Sequence, residues 1–280
     1  MSLTVFAALL FAAFLHAAWN ALVRHDLDRR AAATAMAVGG GIVGALLLPF
    51  LPPMALAAVP YAIATSLIHV GYFALVARAY AATELSVAYP VMRGLAPLIV
   101  TGLAAMFVET PPPAVVLGIA IVTAGIVSLG IERLRAGVFG LVPAIANAFV
   151  IALYTLIDGL GARASGAPVT YVAWILVGAG IATVAWQIVR EGHAKVLPSL
   201  RSRLPIGIAG GTMSYAAYAI ALWAMTFNPI GAVAAVRESS VLFAAAIGAV
   251  ALHERFGWAR WLSAILVVAG LVLVKFGGAQ

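Results

Sequence analysis

The sequence predicts an all-α integral membrane protein with ten transmembrane helices, arranged as two inverted-topology five-helix repeats. The chain is 65% hydrophobic and 9% charged, whereas soluble domains are about 45–50% apolar and about 25% charged. Ten apolar stretches of about 20 residues, the length that spans a bilayer, follow one another with short connections. A shift of 145 positions aligns the second half of the chain with the first without a gap between residues 85 and 125. These three observations together indicate a duplicated membrane protein.

The predicted spans divide evenly between the two halves of the chain. They lie at 3–23, 32–51, 59–80, 85–108 and 113–131, and at 138–160, 168–189, 205–226, 230–251 and 257–276. The first repeat is therefore residues 1–135 and the second is residues 136–280. Because five is an odd number, the second repeat enters the membrane from the opposite side, as in many secondary transporters.

Proline and glycine mark the joints and contacts of the predicted helices. Prolines follow the second and fourth spans, and Asn228-Pro229 opens the ninth with a predicted N-cap and a proline at the first helical position. Gly40-xxx-Gly44 and Gly207-xxx-Gly211 in the second and eighth spans are typical of close helix packing in membranes.

The distribution of lysine and arginine predicts the orientation of the chain. Twelve of these residues fall on one face: Arg24, Arg29, Arg30, Arg78, Arg133, Arg135, Arg190, Lys195, Arg201, Arg203, Arg255 and Arg260. The opposite face carries Arg163 and Lys275, and Arg93 and Arg237 lie inside spans. Since cytoplasmic loops retain basic residues, we expect both termini on the non-cytoplasmic side. The first span lacks a basic leader, so we interpret it as a retained helix.

Composition also excludes several classes of protein. The net charge of +7 comes from scattered loop residues, so no nucleic-acid partner is predicted. Cysteine is absent, which removes thiol catalysis and disulfides. The sequence contains no HExxH and no GxxxxGK[ST] motif. We expect no enzyme, no metal and no cofactor, and short loops leave little room for a channel filter. A purely structural protein would not explain charged residues inside spans.

Arg93 and Arg237 lie inside the fourth and ninth spans, where a guanidinium costs at least about 2.5–3.5 kcal/mol on insertion scales. The repeat alignment places Arg93 on Glu238, which predicts an ion pair across the two repeats. Arg237 then remains for a substrate carboxylate, beside Ser239 and Ser240. One alternative pairs Arg237 with Asp158 and leaves Arg93 for the substrate. In another alternative, both arginines form structural ion pairs and neither binds the substrate.

Helical spacing places other polar and aromatic residues on shared faces. These faces are formed by His16, Trp19 and Asn20; His69 and Tyr72; Tyr89 and Arg93; Asn147, Tyr154 and Asp158; Tyr215 and Tyr218; and Arg237 and Ser240. Six helices with such faces predict a polar central cavity. The alternatives are interfacial belts for the aromatic residues and structural roles for the two histidines.

The stretches LHAAWNALVR (15–24) and LSVAYPVMRGLAPL (85–98), with a glutamate closing each fourth helix (Glu109 and Glu254), carry a family resemblance. With the two five-helix repeats, they resemble the EamA-type branch of the drug/metabolite transporter superfamily, and within it the amino-acid and metabolite exporters. The resemblance implies a central cavity lined by the first four helices of each repeat, with the fifth peripheral. The almost wholly apolar spans 113–131 and 257–276 indicate the same independently.

The residues and the resemblance together predict an exporter of amino acids or related metabolites in a bacterial-type inner membrane. The aromatic residues favour bulky apolar or aromatic substrates, and Asn20, Asn147 and tyrosine faces suit a substrate ammonium. Other organic anions, sugars and drugs are the alternatives. The expected partners are a small-molecule substrate and the lipid bilayer; a homo-oligomer is compatible with the sequence, but a monomer suffices.

Overall fold

The structure of the protein, a computed structural model, describes residues 1–25, 28–131, 141–252 and 258–277. Within these ranges its regular structure is helical, without strands. The α-helices are α1 (Leu3–His25), α2 (Arg29–Leu47), α3 (Val59–Ala82), α4 (Leu85–Phe107), α5 (Pro113–Ile131), α6 (Val142–Ser165), α7 (Pro168–Glu191), α8 (His193–Met225), α9 (Ile230–Arg237), α10 (Ser240–Leu252) and α11 (Trp258–Phe276). Two 3₁₀ turns, Leu48–Phe50 and Leu56–Ala58, connect α2 and α3.

The helices have the length and composition of a multi-pass integral membrane protein. Among the described residues, seven helical segments are long and apolar enough to cross a bilayer. Each of the ten predicted stretches contains a helix, and the shorter apolar segments include Pro113–Leu129 in α5. The all-helical membrane class is therefore confirmed, whereas ten crossings and an inverted repeat stay predictions.

Several helix ends differ from the sequence prediction. α2 ends at Leu47 because Pro49 lies in the following 3₁₀ turn and cannot donate the next helical hydrogen bond. α8 begins at His193 and runs for 33 residues, although the sequence predicts a connection up to residue 204. The predicted start of the sixth span at 138 lies outside the described residues, as do Glu254, Arg133, Arg135 and Arg255.

The predicted ninth span is broken into two helices. α9 ends at Arg237 and α10 begins at Ser240. Between them the backbone makes tight hydrogen bonds, from Glu238 N to Ala235 O at 3.1 Å and from Ser239 N to Val236 O at 3.1 Å. The Ser239 hydroxyl donates to Val236 O at 2.7 Å, and such local bonds compete with continuous helix. The prediction of one unbroken helix over 230–251 was therefore wrong at Glu238 and Ser239, whereas Ile230–Ile247 still has the length and composition of one membrane span.

The predicted N-cap of this segment was also wrong. Pro229 occupies the cap position without a side-chain cap bond, and the amide of Asn228 donates to Ala224 O at 3.1 Å. The Ile230 N–H instead donates to Glu109 Oε1, so a carboxylate from the end of α4 caps α9. Helix periodicity could not reveal a cap that comes from 121 residues away.

The helices pack in pairs that join the two halves of the chain. α2 contacts α7 and α8, α1 contacts α8 and α10, and α3 contacts α6. α4 contacts α5, α6 and α9, while α5 and α11 pack closely on each other. The buried centre is therefore formed by residues of both halves, including α4, α6 and α9.

Glycine allows the closest of these contacts. A Cβ atom on Gly211 would lie 2.2 Å from Gly40 N, and one on Gly207 would lie 2.4 Å from Ala35 O. Gly44 faces α7 instead, where a Cβ would lie 2.9 Å from Ala173 O. Gly207 and Gly211 of α8 therefore pack on α2, and Gly44 of α2 packs on α7.

Candidate functional site

A pocket lies between α4, α6 and the end of α9, with a cavity volume of about 10 Å³. Its lining residues are Arg93, Ala96, Pro97, Val100, Ile151, Tyr154, Thr155, Ala234, Arg237 and Glu238. Four of these were predicted from the sequence, namely Arg93, Tyr154, Arg237 and Glu238. This volume holds about one water molecule, so any larger ligand requires the helices to separate.

Arg93 and Glu238 lie in contact inside this pocket. The Arg93 Nε donates to Glu238 Oε2 at 3.1 Å, and Nη2 lies 2.9 Å from Oε1. The side chains are only 11% and 6% exposed. Two charges that would each be costly in a membrane interior therefore compensate one another. The contact also joins α4 to the break that follows α9.

Arg237 is half-buried and also lines the pocket. Its guanidinium lies over the Tyr218 ring, 5.3 Å from the centroid. Among the described residues, no carboxylate forms an ion pair with Arg237. The alternative partner, Asp158, accepts hydrogen bonds from the hydroxyls of Tyr218 and Tyr171 instead. The pocket therefore contains one compensated and one uncompensated guanidinium.

The two serines beside Arg237 are buried at the helix break, Ser239 at 1% and Ser240 at 3% exposure. The hydroxyl proton of Ser239 is already donated to Val236 O. Because a hydroxyl has one proton, Ser239 could donate to a substrate only by giving up this bond. Ser240, the first residue of α10, is the remaining serine near Arg237.

An aromatic cluster of His69, Tyr72 and Tyr154 adjoins the pocket. The His69 and Tyr154 rings lie 4.7 Å apart, and Tyr72 lies 6.0 Å from His69 and 6.1 Å from Tyr154. The His69 Nδ1 is 2.8 Å from Thr65 O, so Nδ1 carries the proton and donates to this carbonyl. Tyr154 links the cluster to the pocket, because it lines that pocket directly.

A second aromatic group lies on α1. The His16 and Trp19 rings are edge to face at 5.0 Å, and Asn20 Nδ2 donates to His16 O at 2.7 Å. Among the described residues, the buried Trp19 Nε1 has no acceptor. His16 is within electrostatic range of Arg93 and Arg237. The group lies on α1, which packs against α9, the helix that ends at Arg237.

Three other predicted residues have different surroundings. Tyr89 is within electrostatic range of Arg93 and Glu238. The Tyr215 hydroxyl donates to Val169 O at 3.1 Å and so ties α8 to α7. Asn147 is fully buried, and its amide is directed at Met92 Sδ at 3.0 Å. Its Oδ1 has no hydrogen-bond partner in the part of the chain that the structure describes. Neither Tyr215 nor Asn147 lines the pocket.

The sequence reasoning did not assign site roles to Thr155 and Pro97, or to the Asp158–Tyr171 pair. Pro97 breaks the hydrogen-bonding pattern of α4 inside the membrane, and its carbonyl accepts from Thr101 Oγ1 at 2.6 Å. Prolines and carboxylates inside membrane spans are themselves signals of a functional region. The first signal could have directed attention to Pro97, and the second had already made Asp158 an alternative partner of Arg237.

A second ion pair closes one end of the bundle. The Arg163 Nη2 lies 2.7 Å from Glu109 Oε2, while its Nε donates to Met225 O at 2.8 Å and its Nη2 to Asn228 O at 3.1 Å. Glu109 also accepts from Ile230 N. We call Glu109 and Arg163 with these backbone partners the end clasp. It joins the ends of α4, α6 and α8 to the start of α9.

The described residues contain no group of three His, Cys, Asp or Glu side chains that could hold a metal ion. What the site presents is a pair of guanidiniums, one carboxylate and an aromatic wall. Such a set of groups binds and orients a charged small molecule.

Apolar helices surrounding a charged pocket define a multi-pass membrane protein with charged residues in its interior. Residues 138–276 match the EamA-like transporter family, and the chain belongs to this family. This confirms the resemblance to the EamA-type branch of the drug/metabolite transporter superfamily. The EamA-like family places the chain among transporters of the drug/metabolite type.

Comparison with solved structures supports the fold. A crystal structure described only as "Crystal structure of protein" is 20% identical, matches over 100% of both chains and has a TM-score of 0.72. At this identity the match establishes the shared fold alone. The search of curated proteins gives no match.

Proposed function

We propose that the protein is a secondary transporter that exports amino acids, with bulky apolar or aromatic ones favoured, or related metabolites. The observation that carries this proposal is that the two arginines of the pocket differ in their partners. Arg93 is compensated by Glu238, whereas Arg237 faces the same pocket without a carboxylate partner among the described residues. The planar fork of Arg237 suits a substrate carboxylate.

The pocket also offers groups for the rest of an amino acid. The Tyr154 ring and its neighbours His69 and Tyr72 provide an aromatic wall for an apolar side chain. Tyrosine faces attract a substrate ammonium, and the Thr155 hydroxyl lies in the same lining. Carboxylate, ammonium and side chain of one bulky amino acid therefore have complementary partners around a single cavity.

The helix contacts support an inverted repeat as the basis of alternating access. In an inverted repeat, α1, α2, α3, α4 and α5 of the first half correspond to α6, α7, α8, α9–α10 and α11 of the second half. Each contact should then have a counterpart between the corresponding helices. The contact of α3 with α6 has its counterpart in that of α8 with α1, the contact of α2 with α8 in that of α7 with α3, and the contact of α4 with α6 in that of α10 with α1. Rocking of two such halves around a fixed site is the usual movement of inverted-repeat transporters.

Other organic anions are the second candidate substrates. Arg93, Arg237 and Glu238 give the pocket lining a formal charge of +1, which attracts an anion whether or not it carries an ammonium group. A monocarboxylate without an amino group separates the two candidates, because it contains the anchor for Arg237 and lacks the group for the tyrosine faces.

The test is flux into proteoliposomes with substitutions at Arg237. L-phenylalanine is the probe, and phenylpropionate is the same molecule without the ammonium group. We expect Arg237→Lys and Arg237→Gln to reduce carboxylate flux at least tenfold with normal expression, because lysine lacks bidentate geometry. Arg190→Lys is the matched control: Arg190 also lies over an aromatic ring, 5.6 Å from that of Trp186, but away from the pocket.

Undiminished flux in both Arg237 variants would contradict the carboxylate anchor and transfer that role to Arg93. Preference for phenylpropionate would favour the organic-anion candidate. Flux that never saturates with substrate concentration would indicate a channel.

A further inference from the structure

Asp158 lies on α6, one helical turn beyond Tyr154 and Thr155 of the pocket lining, and is fully buried. Its two oxygens accept hydrogen bonds from Tyr171, at 3.2 Å, and from Tyr218. Both donors are neutral. The carboxylates of Glu238 and Glu109, in contrast, contact arginines. Among the described residues, Asp158 is thus a buried acid whose charge no contacting cation compensates.

The charged and titratable groups around Asp158 come from every helix packed on α6. α3 contributes His69, which is within electrostatic range, and α7 and α8 contribute Tyr171 and Tyr218. Further tyrosines lie around these groups: Tyr61 and Tyr72 on α3, Tyr89 on α4, Tyr154 on α6 and Tyr215 on α8. α4 contributes Arg93, whose charge Glu238 compensates, and α9 contributes Arg237.

Tyr218 connects Asp158 to Arg237. Its hydroxyl donates to Asp158, and its ring lies under the Arg237 guanidinium. The ionised form of Asp158 is therefore an anion separated from Arg237 by one aromatic ring. A substrate carboxylate on Arg237 would bring a second anion into the same low-dielectric region, and two like charges there repel each other strongly.

We propose that Asp158 is a proton-binding site, and that a proton bound there strengthens the binding of a substrate carboxylate at Arg237. This inference rests on the proposed function. The proton comes from water and converts the Asp158 carboxylate to a carboxylic acid; no bond of the substrate changes. Since coupling between two binding events is reciprocal, the substrate also draws a proton onto Asp158. Buried acids in transporters commonly act in proton transfer.

The first experiment needs no substrate. Infrared difference spectra of the purified full-length protein, recorded as the pH is lowered, should show the C=O band of a carboxylic acid in wild type. Asp158→Asn should lack that band, whereas Glu191→Gln, which changes an exposed carboxylate paired with Lys195, should retain it. An unchanged band in Asp158→Asn would overturn the proton site.

The second experiment measures coupling. Addition of L-phenylalanine to wild type in weakly buffered solution should cause proton uptake, and its affinity should rise about tenfold as the pH is lowered, within the usual range of coupling. Asp158→Asn should bind L-phenylalanine without proton uptake. Tyr171→Phe keeps the charge and removes one donor to the carboxylate, so the midpoint of the pH dependence should move to higher pH.

The outcomes separate this inference from the function on which it rests. Failure of wild type to bind L-phenylalanine contradicts the proposed substrate, and the infrared band still decides whether Asp158 takes up a proton. Binding without proton uptake contradicts the coupling alone. Loss of proton uptake in His69→Gln, with normal uptake in Asp158→Asn, would assign the proton to His69 instead.

Discussion

At the scale of single residues, the energetics of the pocket depend on how its charges are compensated. Arg93 and Glu238 are almost fully buried and hold each other in a two-point contact. Removal of one partner leaves the other as an uncompensated charge in a low-dielectric interior, which costs far more than the pair contributes when intact. The pair should therefore respond very differently to single and double substitution.

We predict that Glu238→Gln lowers the free energy of unfolding by about 3–5 kcal/mol, because it strands the Arg93 charge. The double variant Arg93→Met, Glu238→Gln should recover part of this loss. The single variant Arg93→Met completes a double-mutant cycle. Thermal unfolding of all four proteins in detergent measures the coupling energy between Arg93 and Glu238. Effects that simply add would show that the two side chains do not depend on one another.

The sequence could predict some residue positions and not others, for physical reasons. Arg93 and Glu238 occupy equivalent places in the repeat alignment, and residues near a pseudo-twofold axis can meet, so their contact could be anticipated. The hydrogen bond from the Ser239 hydroxyl to Val236 O depends on the helix break. Hydrophobic periodicity does not predict that break. The burial of Asn147 against Met92 depends on how α6 is rotated towards α4, and a helical face is too broad to specify that.

At the scale of helices, the broken α9–α10 segment places the charged residues, and the end clasp fixes its start. Glu109 both caps α9 and pairs with Arg163, with side-chain exposures of 18% and 28%. The length and position of most helices could be predicted, since apolar stretches of the required length are explicit in the sequence. The break and the clasp could not, because both arise from contacts between distant parts of the chain.

We expect Glu109→Ala to destabilise the protein by about 1–2 kcal/mol, since it removes a helix cap and a partly exposed ion pair. Glu109→Gln retains an oxygen for the Ile230 N–H and should lose less. Midpoints of thermal unfolding for both variants check this order. Glu191→Ala, which removes an exposed pair with Lys195, is the control and should change little. Equal loss in both Glu109 variants would mean that the cap contributes nothing.

A glycine substitution tests the contact between α2 and α8. Gly211→Ala places a Cβ 2.2 Å from Gly40 N, and backbone cannot yield as a flexible side chain does, so we predict a loss of about 1–3 kcal/mol. Gly71→Ala is the matched control, because no described atom lies within 4 Å of its added Cβ. Thermal unfolding should show a lower midpoint for Gly211→Ala and no loss for Gly71→Ala. The same midpoint in both would contradict the close packing.

At the scale of the whole molecule, orientation follows from the loop cations. Fourteen of the sixteen lysines and arginines remain when Arg93 and Arg237 are set aside, and twelve of the fourteen are expected on the same side of the membrane. Because that side is the cytoplasmic one, we predict both termini on the non-cytoplasmic side. A reporter that fluoresces only in the cytoplasm should be dark when fused after Gln280 and bright when inserted near Lys195. The reverse pattern would invert the orientation without changing the number of helices.

The proposed transport mechanism requires that the pocket between α4, α6 and α9 open to each side of the membrane in turn. The chain contains no cysteine, so single cysteines can be introduced without a background. Thr155 lines the pocket and is 6% exposed, and Thr155→Cys can be probed in vesicles of both orientations with a membrane-impermeant thiol reagent.

Labelling of Thr155→Cys is the most direct test of alternating access through this pocket. We predict that the cysteine reacts from both sides of the membrane, and that L-phenylalanine slows the reaction from each side. A cysteine at Gly71, an exposed position of α3 outside the pocket lining, should show no protection by L-phenylalanine. Reaction of Thr155→Cys from only one side, in vesicles shown to transport, would contradict the account.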